Sequence, residues 1–139
     1  MVDRRKLHAP ILAFSRDETE LCAAGRPIRE LSTEIGDTPF FLYDRAFIEQ
    51  RVHDLKHLLP EAISLHYAVK ANPFAPLVNF MAQRCDGLDV ASFGELELAL
   101  QAGVAPQDIS FAGPGKSDKD IEAAVDCGCI IVLESINEM

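Results

Sequence analysis

The stretch ISLHYAVKANPFAPLVNFMAQRCDGLDVASFGELELALQAG, Ile63–Gly103, decides the fold. It opens on an apolar run, Ile63 to Ala71, whose residue types predict a strand. That run carries one lysine, Lys70, just before the Asn72-Pro73 turn. A helical pattern follows from Pro73 to Arg84, with proline in its first turn, where the missing N–H is no loss. Leu88 to Ala91 predicts a second strand, and Ser92 to Ala102 a helix closed by Gly103. Outward from there the alternation continues. Ile109 to Ala112 predicts a strand, and Ser117 to Asp126 a helix with a capping pair, Ser117 and Asp120, and a closing Gly128. Cys129 to Leu133 is the fourth strand, and Ser135 starts a further element. Strands and helices alternating at this pace predict βα units on a parallel sheet. Four strands and three intervening helices amount to half of a (β/α)8 barrel, which takes about 250 residues when whole. The expectation is therefore an α/β fold, the N-terminal half of a TIM-type barrel in a truncated chain. A complete four-stranded open sheet is the competing expectation.

Upstream the texture differs. Ile11 to Phe14 and Glu20 to Ala23 predict two short strands around a polar turn, Ser15 to Glu18. Pro27 opens a short helix that Gly36 ends, and Phe40 to Tyr43 reads as another strand. Asp44 is a candidate N-cap. Ile48, Val52, Leu55 and Leu59 then mark the apolar face of a helix that Pro60 stops. The expected domains are thus a β-rich lead-in, residues 1–44, and the first half of the barrel, residues 45–139.

Composition narrows the function classes. The chain has 139 residues, 48% hydrophobic and 25% charged, which suits a globular domain. Its net charge of -9 comes from 13 basic and 22 acidic residues, with no basic stripe of the kind a nucleic-acid binder carries. Arg4, Arg5 and Lys6 form only a short terminal cluster, read as a solvated tail. No apolar run approaches the ~20 residues of a membrane span, and APILAF near the N-terminus is shorter than the ~7–15 residues of a signal h-region. A cytoplasmic protein without membrane or nucleic-acid partners is expected. Of the four cysteines, only Cys127 and Cys129 are close in sequence, and no further ligands stand at zinc-like spacing, so reduced thiols and no metal are expected.

Lys70 is the residue that points to chemistry. With a period of two, His66, Ala68 and Lys70 share one face of the predicted strand, and Leu65, Tyr67 and Val69 the other. The larger apolar set suits the helix side, which turns Lys70 inward at the C-terminal end of the strand, where barrel active sites are built. Partial desolvation there would lower its pKa and free a neutral amine for Schiff-base chemistry. In Leu88-Asp89-Val90 the same alternation turns Asp89 inward beside Lys70. His66 also faces inward and reads as a core histidine. Ser92 and Glu95 form a capping box that accounts for Glu95. Gly113-Pro114-Gly115 is a turn at the barrel mouth, and Lys116 beside it is expected in solvent.

These residues also resemble a known group. YAVKANP is similar to the cofactor-lysine motif of the fold-type III pyridoxal-phosphate decarboxylases, the diaminopimelate, ornithine and arginine decarboxylase group. GRPIRELSTEIGDTPFFLYD, GLDVASFGELELAL, ISFAGPGKSDKDIEAA and IIVLESINEM resemble successive segments of that family, in order, from Gly25 onward. The likeness is strongest to the diaminopimelate decarboxylase-like branch, some of whose members act on carrier-tethered amino acids. The resemblance implies pyridoxal 5'-phosphate held on Lys70 through a Schiff base, Asp89 in the polar network around the cofactor, decarboxylation of an amino acid, and a homodimer in the full-length protein. It implies that residues 1–44 join a C-terminal β-domain. It also implies that the phosphate-binding glycines, the acid on the pyridine nitrogen and the ring-stacking histidine fall beyond Met139, so that these 139 residues alone bind the cofactor poorly and do not decarboxylate. Two alternatives stay open, an amino-acid racemase of the same fold and a non-catalytic homologue of the antizyme-inhibitor kind.

Overall fold

The computed structural model describes residues 15–16 and 20–139. The strand expected at Ile11–Phe14 and the basic cluster Arg4, Arg5, Lys6 lie outside them. The chain divides into two compact units, one running to Asp54 and the other from Leu55 to Met139.

In the first unit, β1 (Ser15–Arg16), β2 (Leu21–Ala23) and β3 (Arg26–Pro27) form an antiparallel sheet in that order. Ser15 and Arg16, expected in a turn, instead pair with Cys22 and Leu21. Ala24 and Gly25 link β2 to β3 with φ of 52° and 72°, the left-handed pair a two-residue hairpin needs. α1 (Ile28–Ile35) follows Pro27, buries Leu31 and ends on Gly36 at φ 76°, whose N–H donates to the Ser32 carbonyl. Arg26 straps α1 from outside, meeting Glu30 at 2.6 Å and Glu34 at 2.5 Å. Residues 40–43, expected as a strand, pair with no strand among the described residues, and Phe41 is almost fully exposed. Asp44 is the expected cap: its Oδ1 accepts from the Phe47 N–H at 3.1 Å and opens α2 (Arg45–Leu58). Its Oδ2 accepts from the Ala24 N–H at 3.0 Å, tying the hairpin turn to the helix start.

The second unit is the expected alternation. β4 (His66–Ala68), α3 (Ala75–Ala82), β5 (Gly87–Val90), α4 (Phe93–Gln101), β6 (Ile109–Phe111), α5 (Asp118–Cys127) and β7 (Ile130–Ile131) follow one another. The four strands are parallel and lie in chain order, as in successive βα units. Leu88, Val90, Ile109 and Phe111 are fully buried on the face covered by α4 and its neighbours. Val69, Val78, Leu96, Ala99 and Ala124 complete that core. Burying each large aliphatic or aromatic side chain there is worth about 1.5–3 kcal/mol.

Two expected elements are shorter or shifted. The strand expected over Ile63–Ala71 pairs only at His66–Ala68, and Val69–Ala71 is a 3₁₀ turn closed by the Asn72 N–H on the Val69 carbonyl at 3.1 Å. In α3 the first-turn proline is Pro76, not Pro73. Phe74 is the N-cap, and its N–H donates to Asn72 Oδ1 at 3.0 Å.

Candidate active site

The C-terminal ends of β4, β5, β6 and β7 carry the candidate residues. Opposite the buried core face, the sheet presents a second face built from the alternate residues. The register aligns Ala68 with Asp89, Asp89 with Ser110, and Ser110 with Ile130. Asp89 is therefore turned away from Leu88 and Val90, as expected, and is half-buried. Its Oδ1 accepts from Ser110 Oγ at 2.7 Å, a contact to the next strand that the sequence did not reveal.

Lys70 lies two residues beyond the Ala68–Asp89 pair, in the 3₁₀ turn and not on the strand itself. It is exposed, so the partial desolvation expected of it is not found. The turn around it is well held. Tyr67 Oη donates to the Asn72 carbonyl at 3.0 Å from a half-buried position, and Val69 is fully buried. The lysine stem thus starts from a fixed backbone while its amine stays open. Tyr67 and Asn72 are the residues that fix it, and sequence reasoning placed both without seeing that they meet.

His66 packs against Gly87, its register partner. A Cβ on Gly87 would come within 2.6 Å of His66 Cε1 and would also collide with the Asp108 carbonyl oxygen. Gly87 is thus what lets the imidazole lie across the sheet, a requirement that a glycine inside a strand can signal. At the same end of the sheet, Asp86 accepts from the Leu65 N–H at 2.8 Å and from Lys56 Nζ at 2.5 Å. Lys56 first, then the Leu65 N–H, hold the Asp86 carboxyl below the usual carboxylate range.

The mouth loops are braced by carboxylates. Ser92 Oγ accepts from the Glu95 N–H at 3.3 Å, but Glu95 Oε2 accepts from the Ala91 N–H at 2.8 Å, one residue short of the expected reciprocal bond. Asp120 completes the capping box with Ser117 and also accepts from the Phe93 N–H at 2.9 Å, so one carboxylate serves the starts of α4 and α5. Lys116 overturns its expectation. Its side chain is fully buried, with Nζ donating to the Gly113 carbonyl at 2.6 Å and pairing with Glu138 at 3.2 Å. Glu138 also accepts from the Glu134 N–H, and Glu134 from the Gly113 N–H, closing a loop of polar contacts beyond β6 and β7. Lys116 is not in solvent because Glu138, 22 residues on, meets it only after folding. Among the described residues no three His, Cys, Asp or Glu side chains gather as metal ligands, and no helix is long and apolar enough to cross a membrane.

Residues 45–139 match the family described as pyridoxal-dependent decarboxylase, pyridoxal binding domain. The chain belongs to that family. Its cofactor is pyridoxal 5'-phosphate, and its fold is the N-terminal part of the decarboxylase (β/α)8 barrel. Among curated relatives of this pyridoxal-binding domain, an L-glutamyl-[BtrI acyl-carrier protein] decarboxylase of Niallia circulans is 42% identical over 104 residues, 74% of this chain and 24% of that protein. A diaminopimelate decarboxylase of Aquifex aeolicus is 39% identical over 135 residues, 96% of this chain and 31% of that one. Among solved structures, diaminopimelate decarboxylase from Helicobacter pylori complexed with L-lysine is 36% identical, with a TM-score of 0.71 over 79% of this chain and 28% of that one. The chain thus spans about a quarter to a third of the relatives it matches.

The residues present fit the cofactor. Its aldehyde calls for a primary amine, and Lys70 offers one that is exposed, bound to no described residue and set on a fixed turn at the strand mouth.

Proposed function

We propose that the full-length protein carrying this chain is a pyridoxal-phosphate-dependent amino-acid decarboxylase, with Lys70 as the residue that holds the cofactor covalently through Nζ. When bound, that group supplies an electron sink for the charge left at Cα as the carboxylate departs. Asp89, oriented by Ser110, would face a cationic amine on the same side of the sheet. The observation that carries the reading is the exposed Lys70 on its pinned turn, two residues beyond the register partner of Asp89, in a chain whose family is pyridoxal-binding.

The relatives' names support a panel of candidate substrates: diaminopimelate, lysine, ornithine, arginine, or a glutamyl group on a carrier protein. Residues 1–44 are proposed to join a C-terminal β-domain, residues 45–139 to begin the barrel, and the whole to work as a cytoplasmic homodimer. The test is carbon dioxide release by the full-length protein across that substrate panel, with and without Lys70→Ala. One substrate class should be turned over, and the variant should lose more than about 1,000-fold in kcat/KM. Racemization without carbon dioxide release, or no cofactor binding at all, would replace this reading with another.

A further inference from the structure

The Cys127-Gly-Cys129 pair lies outside the candidate active site, at the junction of α5 and β7. Cys127 is the last residue of α5, Gly128 turns left-handed at φ 79°, and Cys129 leads into β7. Both sulfurs aim at one atom. Cys127 Sγ donates to the Ala124 carbonyl at 3.4 Å and Cys129 Sγ to the same oxygen at 3.6 Å. The two sulfurs are therefore no farther apart than the sum of those distances, on one side of the turn. Both residues are half-buried, so the pair is accessible but packed.

The shared carbonyl makes oxidation cheap. Ala124 O already accepts from the Gly128 N–H at 3.1 Å and the Cys129 N–H at 3.2 Å. A carbonyl has two lone pairs, and these two backbone donors fill them. Removing both thiol hydrogens would leave no buried acceptor unsatisfied, the usual obstacle to altering a packed polar group. Burial first, then the hydrogen bond and charge of Cys127, push the Cys129 thiol up to about 11.

We propose that Cys127 and Cys129 are a thiol–disulfide exchange site whose co-reactant is a low-molecular-weight disulfide of the glutathione type. The Cys127 thiolate attacks one sulfur of that disulfide and expels a thiolate, leaving a mixed disulfide on Cys127. Cys129 then loses its proton, attacks the Cys127 sulfur and expels the second thiolate. Two protein thiols are oxidised, one external disulfide is reduced, and both protons leave on the two small thiols. Such a bond is compatible with the cytoplasm, where disulfides are mostly transient and redox-sensing.

The test is titration of the folded full-length protein with mixtures of oxidised and reduced glutathione, read by peptide mapping that counts the free thiols among Cys22, Cys85, Cys127 and Cys129. The count should fall from four to two, with Cys127 and Cys129 in one disulfide and Cys22 and Cys85 still free. Cys129→Ser should trap glutathione on Cys127, while Cys127→Ser should keep three free thiols and form no intramolecular bond. A bond to Cys22 or Cys85, four thiols persisting at fully oxidising ratios, or stable glutathione adducts on the unsubstituted chain would each overturn the proposal. The last three readouts need no variant, so they stand even if a substitution unfolds the protein.

Discussion

At the scale of single residues, Gly87 is where the sheet has least room. Alanine there would drive a methyl group into the His66 ring and the Asp108 carbonyl, one of them backbone and unable to yield. Gly87→Ala should cost about 2–3 kcal/mol, seen as a lower denaturant midpoint with an unchanged m-value. Asp86 gives a pH signature. Its folded-state pKa lies below the unfolded value, so its contribution is present above the ordinary carboxylate range and is lost as pH falls through the folded pKa. Lys56 and Asp86 are 37% and 39% exposed, so the pair is worth at most about 1 kcal/mol. Asp86→Asn should therefore lower stability slightly at neutral pH, and the difference from the parent should shrink as pH falls below the ordinary carboxylate range, as acid unfolding curves would report. Lys70 and Asp89 could be singled out from sequence because a motif and a two-residue period mark them. Gly87, Asp86 and Lys116 could not, because their roles depend on partners 20 or more residues away: His66 and Leu65 on one side, Glu138 on the other.

At the scale of elements, helix starts were the most legible features. Asp44, Ser92 and Ser117 each cap the helix that the sequence assigns to them, since a cap needs only residues within one turn. Strand lengths were not legible. An apolar run cannot say where pairing stops: Val69–Ala71 leaves the sheet in a turn that the Tyr67 hydroxyl holds at the Asn72 carbonyl. Phe40 to Tyr43 has strand composition but no pairing strand among the described residues, a fact no local pattern contains. The capping box of α5 gives the element-scale prediction. Ser117→Ala removes the side-chain acceptor for the Asp120 N–H and one donor to the Asp120 carboxylate. It should destabilise the chain by about 1 kcal/mol, with a matching loss of amide exchange protection in the first turn of α5.

At the scale of the whole molecule, the parallel order β4-β5-β6-β7 was legible because the alternation of strand and helix admits few topologies. The sheet face opposite its helices is open among the described residues, with Ile130, Val132 and Leu133 exposed near one edge. Residues 1–139 on their own should bind an apolar dye and associate as concentration rises, which fluorescence and light scattering would detect. Cofactor attachment nonetheless turns on one atom, Lys70 Nζ. The direct test is borohydride reduction after incubation with pyridoxal phosphate, followed by peptide mapping, on the full-length protein and on Lys70→Ala. A single pyridoxyl group on the peptide containing Lys70, absent from the variant, is the predicted result. Labelling of another lysine in its place, or equal labelling of the variant, would contradict the account.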